Sequence, residues 1–430
     1  MRTRVRIVLV LAGLVPGPGP GCTVPGGDGG GTDALVRGEA RGAPGELAGG
    51  EVGPPEDLHP RDLVAADVPE PPAPTTLLKG PWLQWVTPER LHVMAESADE
   101  VPLVFEVRVD GETRETVTSS PRKIDMTGQT IPFPNIVGWL HEVAVSSVAP
   151  GETFEVLVLN SGDSAAGWVP LPGAPVSLVL FGDTRTDPES HQLVVDAIVQ
   201  EGPAMVLHTG DFVSGGGDPE QWQVFFDIER ELMATSFLYT IFGNHEIFGQ
   251  VYFEAFFHME NTFGTERTWS TVWGDVGIVG MEIYNTDWSD GEALAWLDRE
   301  LGRLREEARW LIVSFHEPLY TFSNHAPWSK GREYVQPLLE QHAVDLVISG
   351  HNHCYEHFLV NEIHHVVSGG GGAPLYGVGE ASEAEKELLV MARPGFHYVR
   401  VDLTPEQITF SATDAATAEV FDSWTVPSPR

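Results

Sequence analysis

Residues 176–183 read Val-Ser-Leu-Val-Leu-Phe-Gly-Asp, a short apolar run closed by a glycine and a carboxylate, Asp183. The same grammar returns four times. Residues 205–208 lead to Thr209-Gly210-Asp211, residues 237–242 to Gly243-Asn244-His245-Glu246, residues 310–315 to His316-Glu317-Pro318, and residues 344–349 to Gly350-His351-Asn352-His353. Apolar runs of this length, bounded by glycine, predict strands buried on both faces. Between them, apolar residues recur at helical intervals: Val194, Val195 and Ile198, then Trp222, Phe225, Phe226 and Ile228, then Leu294, Leu297, Leu301 and Leu304. Strand and helix in alternation predict an α/β layered fold, and no internal repeat of solenoid type is visible.

Ligand sites of open α/β sheets lie off the carboxyl ends of the strands. Asp183, Asp211, Asn244, His316, His351 and His353 are therefore expected to converge although they are far apart in the chain. Oxygen and imidazole donors together suit zinc, iron or manganese, and a bridging carboxylate, for which Asp211 is the candidate, can hold two ions. Two ions about 3.5–4 Å apart clamp a phosphoryl group, generate a hydroxide nucleophile near neutral pH and stabilise the leaving oxygen. A lone Gly-Asp is usually a turn and a lone histidine usually structural; the conjunction of five strand-end motifs carries the assignment. The run of glycines at 369–372 is followed by no Lys-Ser/Thr, so it is no phosphate loop, only a loop that could line the site.

The rest of the chain bounds location and partners. With 25 basic and 62 acidic side chains the formal charge is -37, which disfavours nucleic acid as a partner. The two cysteines, Cys22 and Cys354, allow no disulfide framework and no Cys-x-x-Cys metal pattern. Arg2, Arg4 and Arg6 precede an apolar run at 7–15 that is shorter than the roughly 20 residues a membrane span needs, so residues 1–22 read as an export signal. Cys22 resembles the lipid-acceptor cysteine of bacterial lipoproteins, which would anchor the protein to a membrane; the alternative is ordinary cleavage nearby. Residues 23–76 hold 11 Gly, 9 Pro and ten carboxylates, a composition expected of a disordered, self-repelling tether. From 77 to about 160, period-two alternation (Leu103, Phe105, Val107 and Val109 against Val104, Glu106 and Arg108) and the Asp110-Gly111 turn predict a small β-sandwich, with further strands at 82–86, 90–95, 141–146 and 154–159.

Taken together, the five motifs resemble the conserved blocks of the calcineurin-like metallophosphoesterases, and specifically the purple acid phosphatases. Lys79-Gly80-Pro81-Trp82-Leu83-Gln84, His141-Glu142-Val143 and Ala149-Pro150-Gly151-Glu152-Thr153-Phe154 are similar to the fibronectin type III-like domain that precedes the catalytic domain in that group. The resemblance implies a fibronectin-like sandwich over residues 77–165 and, over 174–430, a two-sheet sandwich flanked by helices and completed by strands near 397–401 and 407–411. It also implies that Asp183, Asp211 and His353 hold a first metal, and Asp211, Asn244, His316 and His351 a second, with His245 as proton donor to the leaving group.

His325 falls where the family places a phosphate-contacting histidine, or is a surface-loop residue. Two positions depart from the pattern. Ser214 stands where purple acid phosphatases place a metal-bound tyrosine, and Arg185 where other members of the superfamily use a histidine. Arg185 could bind substrate phosphate bidentately or be a solvated turn residue; His191 could fold back as a substitute ligand or sit at the surface of a helix N-terminus. The expected protein is an exported binuclear phosphoesterase, most simply a phosphomonoesterase of acid phosphatase type. The alternatives are a phosphodiesterase for nucleotides or lipid headgroups, and a non-catalytic surface protein on the same fold.

Overall fold

The computed structural model describes residues 72–87, 89–126, 134–260, 262–379 and 386–428. The expected export signal, Cys22 and all but the end of the expected tether lie outside the described residues. Residues 72–76, assigned from composition to the tether, are tied to the folded body instead: Asn160 Nδ2 donates to the Ala73 carbonyl (2.7 Å) and Thr75 N to that of Asn160 (3.1 Å).

The N-terminal part is all-β. Strands β1 (Leu77–Val86), β2 (Leu91–Ser97), β3 (Val104–Val109), β4 (Glu112–Thr118), β5 (Trp139–Val145), β6 (Thr153–Val158) and β7 (Ser164–Trp168) form two antiparallel sheets, ordered β1-β2-β5 and β4-β3-β6-β7. The alternation has its expected consequence, since Phe105, Val107 and Val109 of β3 and Phe154, Val156 and Val158 of β6 point into the core while Glu106, Arg108 and Glu155 stay outside it. β1 is buried almost throughout because its other neighbour is the second half of the chain. Gln84 Nε2 donates to the Leu238 carbonyl (2.5 Å), Trp82 packs on Phe226 at 4.9 Å, and Trp85 meets Trp269 edge-on at 5.8 Å. Lys79 is buried in an ion pair with Glu96 and lies over the rings of Phe226 and Phe256.

The second half opens with β8 (Val176–Phe181), α1 (Pro188–Glu201), β9 (Met205–His208), α2 (Pro219–Thr235), β10 (Phe237–Thr240), α3 (Gln250–Phe256), β11 (Thr262–Phe263), β12 (Thr265–Trp273), β13 (Val276–Met281) and α4 (Gly291–Glu307). It continues with β14 (Trp310–Phe315), α5 (Gln336–Gln341), β15 (Leu346–Ser349), β16 (Tyr355–Val360), β17 (Ile363–Ser368), β18 (Leu389–Arg393), β19 (His397–Leu403), β20 (Gln407–Asp414) and β21 (Val420–Pro427). One sheet runs β10-β9-β8-β19-β20-β21 and the other β11-β12-β13-β14-β15-β17-β16-β18. β8, β9 and β10 are mutually parallel, as are β13, β14, β15 and β17.

The strand period of two sorts each central strand between two cores. Leu178, Leu180, Met205, Leu207, Phe237 and Tyr239 face Ile278, Ile312, Leu346 and Ile348 across the space between the sheets. Their neighbours Val179, Phe181, Val206 and Leu238 pack outward on Val194, Ile198, Trp222 and Phe225 of α1 and α2. On the opposite flank Val279, Val313 and Val347 pack on Leu297, Leu301 and Leu304 of α4. The result is the expected helix-sheet-sheet-helix sandwich; β19 joins it antiparallel to β8, and β20 antiparallel to β19, near the predicted segments. Helix starts are set locally: Asp187 caps α1 and Asp218 caps α2, each followed by a proline at the first helical position.

Among the five strands that carry the ligand motifs, two ends differ from expectation. β10 stops at Thr240, not 242, because its partner β9 ends at His208; the last bond of that ladder runs from Ile241 N to the His208 carbonyl. β15 begins at Leu346, because Val344 still belongs to the turn closing α5, its N–H bonded to the Leu339 carbonyl.

Candidate metal centre

Three of the expected ligands leave their strands through a sharp turn. Asp183 (φ 59°), Asp211 (φ 59°) and His351 (φ 68°) all adopt the left-handed conformation, which costs a non-glycine residue on the order of 1–3 kcal/mol and persists only where the surroundings enforce it. Here they do. Asp183 N donates to the Gly210 carbonyl and Thr184 N to that of Asp211 (3.0 and 3.1 Å), which locks the ends of β8 and β9 together. The glycines are dictated by close approach: a Cβ on Gly350 would lie 2.2 Å from Asp183 Oδ2, and one on Gly243 would lie 2.4 Å from Asp211 Oδ1.

The structure brings all six expected ligands together. Asp183, Asp211 and His353 are buried and offer ligand atoms within 4.8 Å of one another. His316 Nε2 lies 3.3 Å from Asp211 Oδ1 and 4.0 Å from Asp183 Oδ1, and His351 Nδ1 lies 3.0 Å from Asn244 Oδ1. Backbone groups aim the side chains. His316 Nδ1 donates to the Thr209 carbonyl (2.8 Å) and His353 Nδ1 to that of Pro374 (2.7 Å), so both Nε2 atoms face the carboxylates. His351 N donates to both oxygens of Asp183 and His245 N to Asp211 Oδ1, all at 3.0 Å.

The donor set suits a cation. His316 Nε2 is buried without a hydrogen-bond partner, aimed at two buried carboxylates. Burial pushes the Asp183 carboxyl up to about 7. Burial would do the same to Asp211, but the charge of His316 beside it holds it below the carboxylate range. Burial likewise holds His351 down at about 2 and His353 at about 4, which keeps both imidazoles in the neutral form that ligates. Divalent or trivalent ions of zinc, iron or manganese type fit these oxygen and nitrogen donors.

Residues around the ligands differ in how far the sequence anticipated them. Arg185 is no solvated turn residue: its Nε donates to Asp211 Oδ2 (3.2 Å) and its Nη2 lies 3.3 Å from His353 Nε2, against the first-metal ligands. Ser214 Oγ bonds Thr186 Oγ1 (2.8 Å). His191 is neither a ligand nor at the surface. It is buried in α1, paired with Glu229 of α2 at 2.8 Å and packed on Phe225, because the position lies on the apolar face that the two helices share.

His245 and His325 both reach the centre. The His245 ring donates from Nδ1 to the Ser214 carbonyl (2.6 Å) and presents Nε2 3.7 Å from Asp211 Oδ2. His325 is exposed at the mouth, its ring 4.3 Å from that of His351. Asn352 holds the His325 loop by accepting from His325 N (2.9 Å) and donating to Thr321 Oγ1 (2.8 Å).

Two participants escaped the sequence reading. Buried Glu246 accepts from the backbone N–H groups of Asp211, Phe212 and Gly243 at 3.0–3.1 Å and so shapes the Asp211 turn; its place beside His245 was the available signal. Tyr376 stacks on His353 at 4.0 Å, with its hydroxyl 3.5 Å from His325 Nε2, and nothing local in the sequence marked it. It follows the run of glycines at 369–372, which do pack against the site, since a Cβ on Gly369 would lie 3.0 Å from Asp183 Oδ2. Residues 283–288 together with Trp328 and Lys330 line a cavity of about 230 Å³.

Two facing mixed sheets with helices outside, and His, Asp and Asn ligands at the carboxyl ends of the strands, define a metal-dependent hydrolase architecture. Residues 176–355 match the calcineurin-like phosphoesterase family. Among curated relatives, the chain is similar to phosphoenolpyruvate phosphatase of Allium cepa, 29% identical over 223 residues, which are 46% of this chain and 45% of that protein. It is also similar to purple acid phosphatase 23 of Arabidopsis thaliana, 23% identical over 389 residues, covering 76% and 83% of the two chains. The chain thus spans about half the length of the onion relative and most of the Arabidopsis one. The fold is that of the purple acid phosphatase PPD1 from yellow lupin (Lupinus luteus), with a TM-score of 0.66 at 17% identity over 81% of this chain and 74% of that one.

Proposed function

We propose that the protein hydrolyses phosphate esters with two metal ions held at the strand ends. The observation that carries this reading is the buried, unpartnered His316 Nε2 converging with Asp183 and Asp211. Asp183, Asp211 and His353 would hold one ion, and Asp211, Asn244, His316 and His351 the other. Bound there, such a pair supplies a hydroxide nucleophile near neutral pH and neutralises phosphate charge. The chain's own groups do the rest. Arg185 orients the Asp211 carboxylate and is within reach of phosphate oxygens, which its forked guanidinium fits. His325, at the mouth, contacts the entering phosphate, and His245 passes a proton to the leaving oxygen from Nε2.

A small phosphate monoester is the substrate favoured here, since relatives named as phosphatases align with the chain; a diester of a nucleotide or lipid headgroup is the competing class. The basic-then-apolar N-terminus supports action outside the cytoplasm, with Cys22 as the point of lipid anchoring. Among the described residues no helix is long and apolar enough to cross a membrane. The deciding experiment loads the purified protein separately with manganese, zinc or iron and assays an aryl phosphate monoester against the matching diester. Monoester turnover should dominate, and His316→Ala should abolish it while the circular dichroism spectrum stays native. Undiminished turnover in that variant would refute the site.

A further inference from the structure

A second cluster of metal-ligating side chains shares no residue with the strand-end centre. It lies where the N-terminal sandwich meets the second half of the chain. His92 comes from β2 and Glu142 from β5; His258 and Glu260 follow α3. The two imidazoles are stacked, with centroids 4.3 Å apart and planes 15° from parallel. Both Nδ1 atoms face one oxygen, Glu142 Oε1, at 3.2 Å from His92 and 3.1 Å from His258. Both Nε2 atoms face the other carboxylate, Glu260 Oε1, at 3.2 and 3.8 Å.

This arrangement has the order of a metal site. Imidazoles that bind a metal through one nitrogen characteristically give the N–H of the other to a carboxylate, which fixes tautomer and ring orientation. Glu260 stands in that place for His92 and beside it for His258, itself held by Arg90 Nη2 at 2.5 Å. With Nε2 protonated toward Glu260, both unprotonated Nδ1 atoms are left beside one carboxylate oxygen. Three electron-rich atoms so placed require positive charge between them. Protons alone would need either two imidazolium cations stacked 4.3 Å apart, against the burial that holds His258 below the usual imidazole range, or a neutral His258 that donates from Nδ1 and leaves its buried Nε2 without a partner.

A single divalent ion meets the requirement without that repulsion. For bonds of about 2.1 Å the edge of a tetrahedral zinc site is about 3.4 Å, close to the 3.1 and 3.2 Å nitrogen-to-oxygen separations here. Arg122 pairs with the other oxygen of Glu142, Oε2 at 3.7 Å, and leaves Oε1 to the ion. His258 and Glu142 each keep about a quarter of their side-chain surface exposed, so water can complete the coordination.

We propose that His92 Nδ1, His258 Nδ1 and Glu142 Oε1 bind a zinc-class divalent cation that clamps the sandwich to the phosphoesterase half, with Glu260 orienting both rings. The test does not depend on catalysis. Equilibrium dialysis against zinc, read by elemental analysis, should show His258→Gln and Glu142→Gln each binding one equivalent less than the wild type. The same loss of one should appear when each is combined with His316→Ala, which removes a ligand of the other centre. Glu260→Gln should keep the equivalent but weaken it by roughly 10- to 100-fold, the usual effect of removing such a carboxylate. As a check that needs no folded interface variant, the His316→Ala protein loaded with cobalt(II) should show the intense visible absorption of a tetrahedral site. Equal zinc stoichiometry in wild type and His258→Gln, or cobalt bound by His316→Ala without tetrahedral absorption, would overturn the proposal.

Discussion

At the scale of single residues, His245 is placed as the proposed proton donor has to be. Its Nδ1–H is committed to the Ser214 carbonyl, and Nε2, on the open side, faces Asp211 Oδ2 at a distance longer than a hydrogen bond. That leaves Nε2 available to a leaving group. General acid catalysis contributes about 10²–10⁴-fold. His245→Ala is therefore expected to slow turnover by that factor while retaining its metal, and the deficit should shrink with a nitrophenyl leaving group, which needs little protonation. Loss of bound metal from this variant, in elemental analysis, would make His245 a ligand or a support instead.

The strand-end turn is the working unit at the scale of elements. Asp211 could not hold its left-handed backbone alone; Glu246 gathers the N–H groups of Asp211, Phe212 and Gly243 around one buried carboxylate and joins the exits of β9 and β10. In Glu246→Gln an amide NH₂ would face N–H donors, leaving at least one buried donor unmatched. A mismatch of this kind costs about 1–3 kcal/mol, to be read from the denaturant midpoint, and metal affinity should fall with it because Asp211 loses its setting. Unchanged stability and unchanged metal binding in this variant would show that the turn holds without Glu246.

Taken as a whole, the molecule buries several histidines in neutral form in both halves. His141 lies between the hydroxyls of Ser97 and Ser119, and burial, with Arg122, holds it down at about 4. His365, against Tyr320 with neither ring nitrogen bonded, is held at about 3 by burial, and His397 at about 4 for the same reason. In the unfolded chain each would bind its proton near 6.5. The unfolded state thus holds more protons between these values, so stability conferred by the neutral histidines is complete above about 6.5 and is lost as pH falls toward 4. The unfolding midpoint temperature should decline across that window, and His365→Phe should flatten the decline. An unchanged slope in that variant would show that His365 does not contribute.

What the sequence determined by itself was whatever depends on residues close together in the chain. Short apolar runs marked β8, β9 and β14 to the residue, helical spacing marked α1, α2 and α4, and strand-end motifs, most of them opened by glycine, marked the six residues that the fold brings together. Partners set by the opposite face of the molecule could not be read this way. β21 owes its pairing to β20, Tyr376 reaches His353 only because its loop folds over the strand ends, and His191, weighed from the sequence as a substitute ligand, is claimed by Glu229 across a helix interface. Arg185 illustrates the limit most sharply: its position in the turn was legible, but only the tertiary structure puts its guanidinium on Asp211 and His353, residues supplied by two other strand ends. Burial and electrostatic pairing depend on three-dimensional neighbours, and those neighbours exist only once the two sheets have closed on each other.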